Sequence, residues 1–243
     1  MPTLEETLKR LATTFTVRDI MIPNADLVCA NDEVEAVQVS HKNPDFNVIP
    51  IRQDGKVTGY FERDSGSTKK ITPTDLISDG TSLLELVDIF EHREFSFVLS
   101  SEKVKGYGYV HFSDLNHHLM KLTFYVILAA LERVALDSIR GKDTPEFLKN
   151  NLNHERFKYI EKKYKDAGEA ARSLVSYLNI REVLRLAGTA GTLHVEESVA
   201  KAMLSARDGA SHASKNLVSK HPDDVKDLAK VKRECLRVLG AMQ

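Results

Sequence analysis

The apolar positions change their period part-way along the chain. Up to about residue 118 they come in short runs, "FNVIPI", "VTGYF", "FSFVLS" and "YGYVHF", and turn-forming stretches such as "RQDGK" and "SSEKVKG" separate them. Runs of this kind read as strands. "NDEVEAVQVS" from Asn31 and "GTSLLELVDIF" from Gly80 instead put polar capping residues ahead of a period of roughly three to four, the mark of a short helix. "TVRDIM", Thr16 to Met21, returns as "TPTDLI", Thr72 to Ile77. The order strand, helix, strand, strand therefore occurs twice. Two halves that each bury one face should pack on one another, which predicts one domain over residues 1–118 with modules at about 16–66 and 67–118. Thr3 with Glu6 forms a capping box for a short leading helix.

From residue 119 the strand-like runs stop and an all-α domain over 119–243 is predicted. One helix runs from about His117 to Arg140 and ends at Gly141. Another begins after Pro145 and carries "HERFKYIEKKYKDAGEAARS". "NIREVLRLAG" opens on a capping box of Asn179 and Glu182 and closes at Gly188. Val195, Val199 and Met203 mark a further apolar face, and "DDVKDLAKVKRECLRVLGAM" makes a closing helix. The expected fold class is thus α+β, a β-rich repeat followed by an all-α helical bundle. The longest apolar stretch, "LMKLTFYVILAALERVALDSI", meets Lys121 and Glu132 before the ~18 to 20 apolar residues of a membrane span. It reads as a buried helix, with no membrane partner. "GTAGT", Gly188 to Thr192, follows no strand and reads as a helix-breaking turn rather than a phosphate loop.

Composition changes this picture only at a few points. With 243 residues, 42% hydrophobic and 28% charged, the chain has material for two ordinary soluble domains. A net charge of -1 supplies no global field for a polyanion, so nucleic acid would have to be held by a local patch. Cys29 and Cys235 lie far apart without metal-ligand spacing and read as free thiols of a reducing compartment. Glu5 and Glu6 stand where a signal peptide needs a basic start, and the expected location is cytoplasmic. No set of carboxylates and histidines has the spacing of a metal site, and the adjacent His117 and His118 cannot chelate as a helical i, i+4 pair would.

The repeated unit, with "VIPIRQDGKVTGYFERD" in the first copy and "KGYGYVHFSDL" in the second, resembles a tandem pair of CBS modules of the cystathionine-β-synthase type over roughly Thr16 to Leu119. The resemblance implies a β-α-β-β-α unit used twice, a sensor for adenine nucleotides, and dimerisation. In that family a Ser or Thr followed three residues later by Asp, at the turn into the last helix of each module, holds the ribose. Here Asp64 and Asp114 hold the Asp positions, but Phe61 and His111 stand where the hydroxyl is expected. From the residues alone, Asp64 can cap a turn and Asp114 a helix, and His111 is either a phosphate or proton contact or a polar strand end.

The last chemistry lies in "SARDGASHASKN", Ser205 to Asn216. On an unbroken helix of ~3.6 residues per turn, Arg207 and His212 point about 140° apart. Gly209 disfavours a helix interior and Asp208 is a good N-cap. A break is therefore expected between them, with His212 in the first turns of a following helix, where an anion is favoured. Ser211 is a possible phosphate contact. The plain alternative is a solvated helix end at Arg207 and a surface histidine.

Arg207, Asp208 and His212, late in an all-α domain, are similar to the signature of HEPN domains. "FYVILAALERVALDSI" is similar to that family's first helix and "YLNIREVLRL" to a middle one. This resemblance implies a homodimer that cleaves RNA without metal or catalytic cofactor. The ribose 2′-hydroxyl attacks the adjacent phosphate, His212 transfers the proton, Arg207 holds the phosphate and Asp208 positions Arg207. The leading reading is a CBS-regulated, metal-independent endoribonuclease, with stress response or defence as a setting that fits the family. The alternative is a non-catalytic adenine-nucleotide-sensing regulatory or dimerisation protein. A third places the helical domain beside a nucleotidyltransferase, which this sequence does not contain.

Overall fold

The computed structural model describes residues 14–99, 107–168, 173–219 and 222–240. The leading helix expected at Thr3 and Glu6 and the turn "SSEKVKG" lie outside the described residues. The chain divides into two compact units, one ending at Leu119 and the other starting at Met120.

In the first unit the repeated Thr-x-x-Asp is a reciprocal cap. Thr16 and Thr72 each precede a 3-10 turn, Val17–Asp19 and Pro73–Asp75. Their backbone N–H groups donate to Asp19 at 2.8 Å and to Asp75 at 2.7 Å. The two helices are capped in the same manner. Asp32 accepts from the Glu35 N–H to start α1, Glu33–Lys42, and Ser82 with Glu85 forms a capping box for α2, Leu83–Phe90. The two differ in burial. α2 hides Leu83, Leu84, Leu86, Val87 and Phe90, whereas α1 hides only Ala36 and Ser40.

The apolar runs become strands. β1, Val48–Gln53, β2, Lys56–Glu62, and β3, Ser67–Lys70, form one antiparallel sheet in that order. β4, Leu76–Ser78, runs parallel to β5, Phe95–Leu99, which pairs antiparallel with β6, Tyr107–His111. The first copy keeps only a bridge where the second has β4, with Ala30 pairing parallel to Ile51. The two sheets share one core. Tyr60 of β2 meets Phe95 and Phe97 of β5 at ring centroid distances of 5.3 and 5.5 Å, and Phe97 meets Tyr109 of β6 at 5.7 Å. Phe97 is fully buried, and each such ring contributes about 1.5–3 kcal/mol by leaving water.

The expected β-α-β-β-α order needs correction in the first copy. After β2 the chain turns through Arg63–Gly66 and returns as β3, so the closing helix is replaced by an edge strand. "STKK" alternates no apolar residues, because an edge strand with intermediate to exposed side chains needs none. In the second copy β6 leads through a 3-10 turn, Phe112–Asn116, into a helix as expected.

The described residues of the second unit form helices and turns without a strand. The helices are α3, His118–Ser138, which crosses the division, α4, Pro145–Asn151, α5, His154–Ala167, α6, Ile180–Thr189, α7, Glu197–Ser211, and α8, Pro222–Gly240. Thr144, Asn153 and Asn179 cap α4, α5 and α6 through their side chains. Phe124, Ile127, Leu128, Leu131, Ile160, Val183, Leu186 and Met203 fill the core. Gly188 lies inside α6 rather than at its end. The left-handed residue is Gly191, at φ 69°, so the break in "GTAGT" comes one turn later than expected. Cys29 and Cys235 are both free. Among the described residues no helix is long and apolar enough to cross a membrane.

Candidate functional site

Two places carry the residues singled out by the sequence, one in each unit. In the first unit, Asp64 sits in the β2–β3 turn and not at a helix N-terminus. The Asn47 amide donates to its carboxylate at 2.9 Å and its own N–H donates back to the Asn47 carbonyl at 3.2 Å. Phe61, in the position where the family resemblance calls for a hydroxyl, is a core residue at 5% exposure, packed with Ala30, Ala36, Ile49 and Ile51. It cannot reach a ligand from there. An open hollow of about 510 Å³ lies over the turn, lined by Asn47, Glu62, Asp64, Ser65, Arg93, Glu94 and Phe95. Arg93 donates to the Thr74 carbonyl, and burial holds its guanidinium below the ordinary arginine value. Asn47 and Arg93 had no sequence signal, since each depends on which loop folds against which.

His111 and Asp114 form a reciprocal cap on the Phe112–Asn116 turn. The Asp114 carboxylate accepts the His111 N–H at 2.8 Å, and the His111 Nδ1 accepts the Ser113 N–H at 3.2 Å. Burial pushes the imidazole down to about 4 and the Asp114 carboxyl up, the latter partly offset by the His111 N–H bond. An unprotonated ring is what the cap needs. Asp64 and Asp114 therefore serve different turns. His111 stands opposite Phe95 in the β5–β6 register, which places this cap one strand from the hollow.

In the second unit, α7 runs unbroken through Asp208 and Gly209. The break expected there is absent, and Asp208 is not an N-cap. Gly209 is required for another reason: a Cβ at this position would stand 2.6 Å from the Asn216 carbonyl oxygen, where the following loop folds back on the helix. His212 is the C-cap of α7 and not the first turn of a new helix.

The motif consequently splits. Arg207 turns toward α3, with its guanidinium carbon 4.1 Å above the centre of the Tyr125 ring and Nη2 3.8 Å from Glu132. Its Nη1 donates to Ser211 Oγ at 2.6 Å, and that hydroxyl donates to the Arg207 carbonyl. Burial raises the Glu132 carboxyl and Arg207 pulls it back. His212 and Lys215 instead gather on Asp208, with His212 Nε2 3.3 Å from its carboxylate. The bonded Lys215 ammonium, with His212 nearby, holds that carboxyl below its ordinary range.

Lys121 was missed as a site residue. It is 9% exposed, and its ammonium donates to the carbonyls of Ala213, at 3.0 Å, and Lys215. The residue that interrupts the apolar stretch thus anchors the loop beyond His212. The one signal was a lone charge inside an apolar helix, which marks a buried partner without naming it. Glu132 had a stronger signal as the acidic residue after the apolar run of α3. Among the described residues no group of three or more His, Cys, Asp and Glu is arranged to hold a metal ion.

No family model and no curated protein matches the chain. Among solved structures, the chain is similar to the CBS domain of the bacterial CNNM/CorC family Mg2+ transporter in complex with ATP. The match has 14% identity over 49% of this chain and 98% of that one, at a TM-score of 0.37. The CBS domain of the same transporter family in complex with the inhibitor IGN95a matches at 14% identity over 47% of this chain and 83% of that one, at a TM-score of 0.34. At this identity neither likeness assigns a ligand or a site.

Proposed function

We propose that the chain is a nucleotide-sensing regulatory protein, in which the repeated unit is a CBS-type pair that takes an adenine nucleotide and the helical unit carries the response. The observation behind this reading is the hollow over Asp64. It combines an aromatic residue, Phe95, a guanidinium, Arg93, and an amide–carboxylate pair, Asn47 and Asp64. Those are the partners that a base, a phosphate and a ribose diol need. The test is calorimetric titration of the full chain with ATP, ADP and AMP. At least one should bind, and Arg93→Ala and Asp64→Ala should each weaken it about tenfold, roughly 1.4 kcal/mol. No binding of any of the three, or binding unchanged in both variants, would refute the reading.

A second reading, the HEPN-type ribonuclease, is favoured by one observation. Arg207 lies against Tyr125 and Glu132 while His212, at 58% side-chain exposure, stays open to solvent. A cation held against one helix and a solvent-exposed imidazole paired with a carboxylate suit phosphate chemistry. Because α7 is unbroken, the two do not converge within one chain, and cleavage calls for a second copy. This reading requires RNA cleavage in EDTA by a dimer, lost in Arg207→Ala and in His212→Ala. RNA left intact after long incubation leaves the sensing reading standing alone.

A further inference from the structure

We propose that the helical unit binds single-stranded nucleic acid across α5 and α6, through residues distinct from the Arg207–His212 motif. Tyr159 on α5 is 51% exposed, a large aromatic left in water. The Arg156 guanidinium lies 5.2 Å and the Lys163 ammonium 5.8 Å from its ring centre, one turn before and one turn after it along the helix. Two cations thus lie close to an exposed ring, and the phosphates beside a base that stacks on it come within reach of both.

Arg156 also looks the other way. It grips Glu182 through Nε at 2.6 Å and Nη2 at 2.9 Å, and donates to the Tyr177 carbonyl. This fixes the guanidinium and joins the Tyr159 ring to a hollow of about 270 Å³ whose charged lining is Arg156, Arg181, Arg185 and Glu182. Two of these arginines are already neutralised, Arg156 by Glu182 and Arg181 by Glu197. Arg185 is different. It donates one N–H to the Asn151 carbonyl at 2.8 Å and meets no carboxylate among the described residues. Its remaining donors can take a phosphate at a net gain, since no ion pair has to be broken first.

An aromatic face next to a cationic hollow matches the alternation of base and phosphate along one strand. A duplex does not fit, because its bases are stacked on one another and cannot reach Tyr159. A small phosphorylated anion would use Arg185 and leave the ring idle.

The test is fluorescence anisotropy of the full chain with a labelled uridine oligonucleotide, with a duplex of the same length and pyrophosphate as competitors. The single strand should bind at least about tenfold more tightly than the duplex. Tyr159→Ala should weaken it about tenfold, and Arg185→Gln should reduce the slope of log Kd against log salt by about 0.7. Both substituted residues are exposed, so circular dichroism should show an unaltered fold. Equal affinity for duplex and single strand, competition by pyrophosphate that Tyr159→Ala does not alter, or unchanged binding in both variants overturns the proposal. None of these outcomes bears on ATP binding, so this surface and the sensing reading stand or fall apart.

Discussion

Gly209 shows how a residue can obey a local rule for a different reason. Glycine costs about 1 kcal/mol in a helix interior, and that cost suggests a break. The structure keeps the helix and uses the missing side chain to let Asn216 approach. Gly209→Ala should therefore lose stability despite the better helix former. A methyl 2.6 Å from a backbone oxygen forces a shift of about 1–3 kcal/mol, more than the propensity gain. Urea unfolding measures it, and an equal or higher midpoint would show that the loop gives way freely. The loop's other anchor is Lys121. Lys121→Met keeps the apolar stem but leaves the Ala213 and Lys215 carbonyls without their donor. A cost of about 1–3 kcal/mol is expected, with faster proteolysis between Ser211 and Leu217 than elsewhere. Neither role is legible in the sequence, since both depend on where a loop returns after α7. Arg207, Asp208 and His212 were legible as residues of interest. Their division between α3 and the loop was not, because it follows from the continuity of one helix.

At the scale of elements, what reads well is whatever neighbouring residues decide. The Thr-x-x-Asp repeat, the Asn179–Glu182 box and the four apolar strands were all visible, since each depends on spacing within a few residues, although the repeat's role as a cap was not read. β3 was not visible, because its partner β2 and not its own pattern makes it a strand. The His111 cap yields a prediction of its own. The folded ring titrates at about 4, below its ordinary value of about 6.5, so the unfolded chain takes up the proton first. The cap's contribution is complete above pH ~6.5 and lost as pH falls toward ~4. Asp114 acts with the opposite sign, because its raised carboxyl is protonated earlier in the folded chain and offsets part of the loss. His111→Asn keeps a capping acceptor without a titrating group. Between pH 7 and 4, unfolding free energies should fall by about 1–2 kcal/mol more for the natural chain than for this variant. Parallel pH profiles would mean that the ring is protonated in the folded state without loss.

For the whole molecule, two units and two proposed ligands raise the question of whether they communicate. A regulatory protein must show more than two binding events, because a sensor that alters nothing elsewhere in the chain regulates nothing. The quantity is a coupling free energy, typically about 1–3 kcal/mol, or about 5- to 150-fold in affinity. It is reciprocal. If a saturating adenine nucleotide changes the Kd for the uridine oligonucleotide by some factor, saturating oligonucleotide must change the nucleotide Kd by the same factor. The residues allow this to be measured cleanly. Arg93→Ala should move the effect of nucleotide on oligonucleotide binding to about tenfold higher nucleotide without touching the oligonucleotide Kd in its absence, since Arg93 lies in the first unit's hollow. Tyr159→Ala should act in the reverse sense. Hydrogen exchange then locates the response. Nucleotide should slow exchange around β2, β5 and the β2–β3 turn, and a coupled chain should also show a change in α5 and α6. If both ligands bind and each leaves the other's Kd and the other unit's exchange unchanged, the chain is two independent binding modules, and the regulatory part of the proposal falls while both sites survive.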